Sequence, residues 1–177
     1  ALVRWEHPVQ GLLGAELFIP LAERTGLDVP LGAWVVAEAC RLAVLLESRP
    51  GDALTVDVNL SGRQLSDAGL VPLVRAALQA HGCAGSRLVF EVTETALVTD
   101  MDAAIASVQE LRELGAGVAI DDFGTGYSSM LYLKHLSASA LKVDRSFVGG
   151  MAPGSFDTAV VAALVSLSHN LGLQCVA

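Results

Sequence analysis

A mostly parallel α/β fold of the (β/α) TIM-like barrel type is what this sequence predicts, and three observations predict it. Short apolar runs rich in Val, Leu, Ile and Ala recur along the chain at a spacing of roughly thirty residues. Helical patterns fill the intervals, and near-continuous apolar strands alternating with helices mean a parallel sheet covered on its outer side. No GxGxxG follows the first strand, so a doubly wound dinucleotide-binding sheet is unsupported. Six strands can be discerned where a closed barrel has about eight. The expected architecture is therefore about six of eight strands in one unit spanning residues 1–177, incomplete at both ends.

The opening Ala1–Pro8 is strand-like and stops at a proline. Glu16–Arg24 and Leu31–Glu47 read as helices, with Thr25, Gly26 and Pro30 between them. In the second, Trp34, Ala37, Leu42 and Leu45 suggest the inward stripe, and Pro50-Gly51-Asp52 closes it. Leu54–Asn59 is a strand, Leu70–His81 an amphipathic helix stopped by Gly82, and Leu88–Val92 the next strand. Asp100 reads as a helix cap ahead of the face Ile105, Val108, Leu111 and Leu114, with Gly115 as the stop. Gly117–Ile120 is a buried strand, Ser128–Leu136 a short helix, and Ala140–Val143 another strand. A loop through Gly149, Gly150 and Pro153 leads to a helix over Asp157–Leu171 and a strand over Leu173–Val176.

With 53% hydrophobic and 17% charged residues, the chain can bury a sizeable core. A net charge of -8 argues against binding a DNA or RNA polymer, which needs a basic face. An anionic small molecule remains compatible if metal ions bridge it to the protein. Cys40, Cys83 and Cys175 are scattered and odd in number, which suggests buried thiols in a reducing compartment. Thr158–Ala177 carries no charge, but its Ser166, His169, Asn170 and Gln174 favour a buried helix and strand without membrane contact. His7, His81, His135 and His169 have no ligand spacing.

The chemistry concentrates at strand ends. Asp121 and Asp122 follow a buried strand and precede the glycine-punctuated turn Phe123–Ser129. Two adjacent acids in such a place repel each other and lose hydration, and hard divalent cations relieve both. The blander alternative is a helix-capping Asp beside a turn acid. Asn59, Glu91, Asp121 with Asp122, and Lys142 with Asp144 fall at the carboxyl ends of successive strands, which converge on one mouth in a barrel. Lys142, one of only two lysines, lies inside an apolar strand and needs acidic partners there.

These residues carry a resemblance to the EAL domain family, bacterial phosphodiesterases that hydrolyse cyclic di-GMP to linear pGpG in second-messenger signalling. The matching pieces are Ala1–Trp5, Phe18–Glu23, Asn59-Leu60-Ser61, Glu91–Glu94, Asp121–Ser129 and Lys142–Arg145, in family order along the whole chain. The resemblance implies that Asn59, Glu91 and Asp121 ligate a first Mg2+ or Mn2+, that Asp122 helps hold a second, and that Asp144 supports them. Lys142 would orient the attacking water or assist its deprotonation, Glu94 would anchor the loop after Asp122, and Arg4 would contact a substrate phosphate. It also implies a homodimer formed through the segment after Asp122, regulatory domains elsewhere, and attachment of a cytoplasmic domain to a larger, membrane-anchored protein. The family's metal-ligating Glu before Ala1 and a further Glu after Ala177 lie outside the sequence, so this segment by itself is expected to be impaired. A cyclic di-GMP receptor that binds without cutting stays open, and so does an enzyme that uses magnesium to stabilise an enediolate.

Overall fold

The computed structural model describes residues 2–46, 54–124, 133 and 136–177. It opens on an antiparallel hairpin, β1 (Arg4–His7) and β2 (Gly11–Gly14). Helices α1 (Ala15–Thr25) and α2 (Asp28–Leu46) follow, then β3 (Val56–Leu60), α3 (Gly62–Leu65) and α4 (Leu70–His81). Next come β4 (Leu88–Thr93), α5 (Glu94–Thr99), α6 (Met101–Glu113) and β5 (Gly117–Phe123). The chain continues through β6 (Ala140–Val143), α7 (Arg145–Gly149) and α8 (Phe156–Asn170) to β7 (Gln174–Val176). Among the described residues β3 to β7 form one five-stranded sheet in chain order, and every neighbouring pair is parallel. Sequential parallel order, with helices between β3 and β4, β4 and β5, and β6 and β7, is the wall of a β/α barrel.

Five of the six expected strands lie in this sheet. The opening strand does not, because a local turn captures it first: the His7 Nδ1 accepts the amides of Val9 and Gln10, and Gly11 adopts a φ of 74°. That turn folds β1 back on β2, which the sequence pattern did not single out.

Strand alternation separates two chemistries. Val56, Val58 and Leu60 of β3, with Leu88, Phe90 and Val92 of β4 and Val118 and Ile120 of β5, pack against helical Val36, Cys40, Val74, Val108 and Leu111. The opposite face carries Asn59 and Glu91, paired in register, with Ala119 and Ala140 continuing the same row. On α2 the inward stripe is Val36, Ala39, Cys40 and Ala43, whereas the expected Trp34 and Leu45 are 57% and 56% exposed. The helix is apolar nearly all round, so periodicity alone did not fix its phase; small residues let it approach the sheet closely. Burial pushes the Cys40 thiol up to about 12, which leaves it an inert packing group.

Three boundaries also move. Pro30 lies inside the first turn of α2, where its missing N–H costs nothing, and the helix starts at Asp28. The expected loop after β6 begins as α7, capped by Asp144, and Thr93 caps the short α5. The helix predicted over Ser128–Leu136 falls largely outside the described residues, as does the turn from Thr125 onward. Helix α2 is long and apolar enough by composition to cross a membrane, yet one of its faces belongs to the core just described.

Candidate active site

The carboxyl ends of β3, β4, β5 and β6 bring Asn59, Glu91, Asp121 and Lys142 together, as the sequence implied. Glu91 is 6% exposed and sits one layer below Lys142, whose Nζ donates to Glu91 Oε1 at 2.6 Å and lies 3.5 Å from Asp121 Oδ1. Burial pulls the Lys142 ammonium toward a lower pKa, but the hydrogen bond and charge of Glu91 and the charge of Asp121 together outweigh it and hold it above the ordinary value. A lysine pKa raised in the folded state stabilises the fold fully below the ordinary lysine value, and that contribution fades only as pH rises through the raised one. Near neutrality Lys142 is therefore a cation that donates.

Asp121 and Asp122 would point to opposite faces in a regular strand. They do not follow that rule, because β5 and β6 slip register between Ile120 and Phe123, so two aspartates lie opposite the single Lys142. Asp122 takes a φ of 53°, a left-handed conformation that Asp tolerates better than most residues, and its N–H donates to Asp121 Oδ1 at 3.0 Å. The bulge concentrates negative charge. Burial, then Asp121, then Asp144 raise the Asp122 carboxyl, and Lys142 offsets part of this.

An acid raised in this way helps the fold only below the ordinary carboxylate range, and the help is lost as pH rises through its folded value. Asp122→Asn is thus expected to raise the melting temperature of the metal-free protein at neutral pH by the equivalent of less than about 1 kcal/mol, since Asp122 is exposed and screened. Calorimetry at pH 7 in chelator checks it, and an unchanged or lower melting temperature would contradict the charge-crowding account.

Asp144 combines two readings. It caps α7, accepting from Ser146 N–H at 2.9 Å and from the Ser146 hydroxyl, and these bonds hold its carboxyl below the usual value. It also faces Asp122 closely enough to exchange a hydrogen bond with it. Glu94 is buried; its Oε2 accepts the Gly124 N–H at 3.3 Å, so it holds the start of the loop after Asp122. Arg4 is exposed, and its guanidinium donates to the Val3 carbonyl at 2.8 Å. A cleft of about 900 Å3 opens beside Asn59 and Asp122, and Leu2 and Val3 line it while Arg4 does not. Among the described residues Arg63, which the sequence reading passed over, is the one basic side chain lining that cleft.

The expected metal ligands Asn59, Glu91 and Asp121 stand at the ends of adjacent strands. Among the described residues no three His, Cys, Asp or Glu side chains converge closely enough to hold an ion, because Lys142 itself lies between Glu91 and Asp121. The donor set nevertheless suits a hard divalent cation: Asn59, Glu91, Asp121 and Asp122 offer oxygen donors at neighbouring strand ends, and Asp122 is raised by neighbouring acids. The expected dimer segment lies outside the described residues. The Ser61–Gln64 capping box was also missed, although a Ser followed three residues later by Gln is its sequence signature.

The EAL domain family model matches residues 1–177. MucR of Pseudomonas aeruginosa, a bifunctional diguanylate cyclase/cyclic di-GMP phosphodiesterase, is 49% identical over 178 residues, covering 100% of this chain and 26% of that protein. The cyclic di-GMP phosphodiesterase NbdA of the same organism is 45% identical over 177 residues, covering 100% and 23%. The chain thus spans about a quarter of the length of these relatives. The solved MucR phosphodiesterase in complex with c-di-GMP superposes with a TM-score of 0.91 at 48% identity, over 99% of this chain and 71% of that one. The FimX EAL domain from Pseudomonas aeruginosa bound to c-di-GMP gives 0.88 at 25% identity, over 98% and 69%. Matched by one family model along its whole length, and sharing a backbone and nearly half its residues with a solved EAL phosphodiesterase, this chain belongs to the EAL domain family.

Proposed function

We propose that the chain is part of a metal-dependent phosphodiesterase that opens cyclic di-GMP to linear pGpG in the bacterial cytoplasm. The observation that carries the reading is the charged Lys142 set between Glu91 and Asp121 at the mouth of the sheet, beside the Asp121–Asp122 bulge. Similarity to MucR and NbdA, both named as acting on cyclic di-GMP, supports the substrate. Asn59, Glu91, Asp121 and Asp122 would hold one or two Mg2+ or Mn2+ ions, which supply charge neutralisation at the phosphate and a more acidic water.

The chain's own groups have distinct tasks. Lys142, held protonated, donates toward the attacking oxygen and keeps Glu91 and Asp121 oriented. Glu94 fixes Gly124, so the turn after Asp122 begins from a defined place. Asp144 pins the start of α7 and adds to the negative charge facing Asp122. In the reaction, water adds to one phosphorus, one phosphodiester P–O bond breaks, and a proton ends on the departing ribose oxygen.

The test is turnover of cyclic di-GMP by the complete EAL domain that contains this segment, with Mg2+ or Mn2+ and again with chelator, with pGpG followed by chromatography. Product that disappears with chelator is expected. Tight binding without product would move the assignment to a receptor. Turnover that survives chelation would remove the metal from the account.

A further inference from the structure

We propose that Asp28 is a positioning residue for Asn59 and, through it, for the cation site; this rests on the phosphodiesterase reading above. Asp28 opens α2, distant in sequence from every residue of the site, and is only 4% exposed. Its Oδ2 accepts the Ser61 hydroxyl at 2.9 Å, and its carbonyl accepts Gln64 Nε2 at 2.8 Å. Gln64 Oε1 in turn accepts the Ser61 N–H at 2.8 Å, while Ser61 Oγ accepts the Gln64 N–H at 3.2 Å. These bonds close a ring between the start of α2 and the capping box of α3.

The ring sits where the sheet stops controlling the chain. The β3 ladder ends at Leu60, so Asn59 is next to the last paired residue and Ser61 is the first beyond it. Gly32 shows that the ring is seated tightly: a Cβ there would stand 1.8 Å from Gln64 Nε2. Asp28, Ser61, Gln64 and Asn59 also line one wall of the same cleft.

The helix dipole favours an acid in the first turn of α2, but it does not by itself call for a buried one. Asp28 Oδ1 is buried without a hydrogen-bond partner among the described residues. A buried acceptor left unsatisfied is costly, and an apolar residue of similar size fills such a position at less cost. What the carboxylate supplies that Leu cannot is the Ser61 bond, which sets the exit of β3 and hence the place of Asn59.

The experiment compares Asp28→Ala, Asp28→Asn and Ser61→Ala in the complete EAL domain that contains this segment. Mn2+ affinity is read by calorimetry without substrate, and the Mn2+ concentration for half-maximal turnover by kinetics. Asp28→Ala is expected to weaken Mn2+ about tenfold and to raise the half-maximal concentration by the same factor, with kcat at saturating Mn2+ within about threefold. Asp28→Asn keeps an acceptor for Ser61 and is expected to recover affinity to within about threefold. Ser61→Ala should repeat the Asp28→Ala effect, and it decides the matter if Asp28→Ala fails to fold.

A lower melting temperature with unchanged Mn2+ affinity would reduce Asp28 to a structural role, and so would an Asn variant as weak as Ala. Wild-type protein that binds Mn2+ but makes no pGpG would sink the phosphodiesterase reading and leave the positioning result legible. Wild-type protein that binds no Mn2+ would overturn both.

Discussion

Asp121→Asn in the complete EAL domain is expected to lower kcat/KM for cyclic di-GMP by about a thousandfold, the loss of about 4 kcal/mol of transition-state stabilisation. The substitution keeps size and a hydrogen-bond acceptor for the Asp122 N–H, so the bulge should persist. What it removes is a full negative charge at the point where Lys142 and the cation both need one. Unchanged thermal unfolding in chelator, measured beside the kinetics, separates this loss from misfolding. Activity within a few-fold of wild type would place the cation elsewhere.

Replacing Lys142 by Met is expected to act on two observables at once. Glu91 and Asp121 lose the ammonium between them, and Glu91 is too buried to recover its hydration. Removing one member of a buried pair is strongly destabilising, though Lys142 and Asp121 keep about a quarter of their exposure. A loss of about 2 kcal/mol in metal-free stability is the expected scale.

Turnover should fall about a hundredfold, the usual effect of deleting one oriented donor. A divalent cation can replace the missing charge, so Mn2+ should raise the melting temperature of the Met variant more than that of wild type. Lys142→Arg is the control: it keeps the charge, yet its planar fork does not reproduce the compact ammonium, so stability should return further than turnover. If Mn2+ shifted the wild type and the Met variant equally, Lys142 and the cation would not share one site.

Local chemistry made much of the molecule legible. Gly82 closes α4, Asp100 caps α6, and the apolar runs at Leu88, Gly117 and Ala140 are strands, because each signal acts within a few residues of itself. The parallel order followed from the strand–helix rhythm, and it brought Asn59, Glu91, Asp121 and Lys142 to one edge. Motif resemblance then supplied the family. Less was legible where two segments distant in sequence must meet: the phase of α2 depended on the sheet it covers, and β1 turned to a neighbour that the sequence left unmarked.

By itself, the sequence determined the α/β rhythm, the strands of the sheet and the acids and lysine at their ends, since periodicity and strand termination are local properties. Only the tertiary structure decided which partner each charge takes. The register slip at Asp121–Asp122 sets two neighbours opposite one lysine, Lys142 lies between Glu91 and Asp121, and Asp28 reaches Ser61 across the fold. Such pairings arise because burial leaves a charged group no water to turn to, so packing chooses the partner that sequence spacing cannot name.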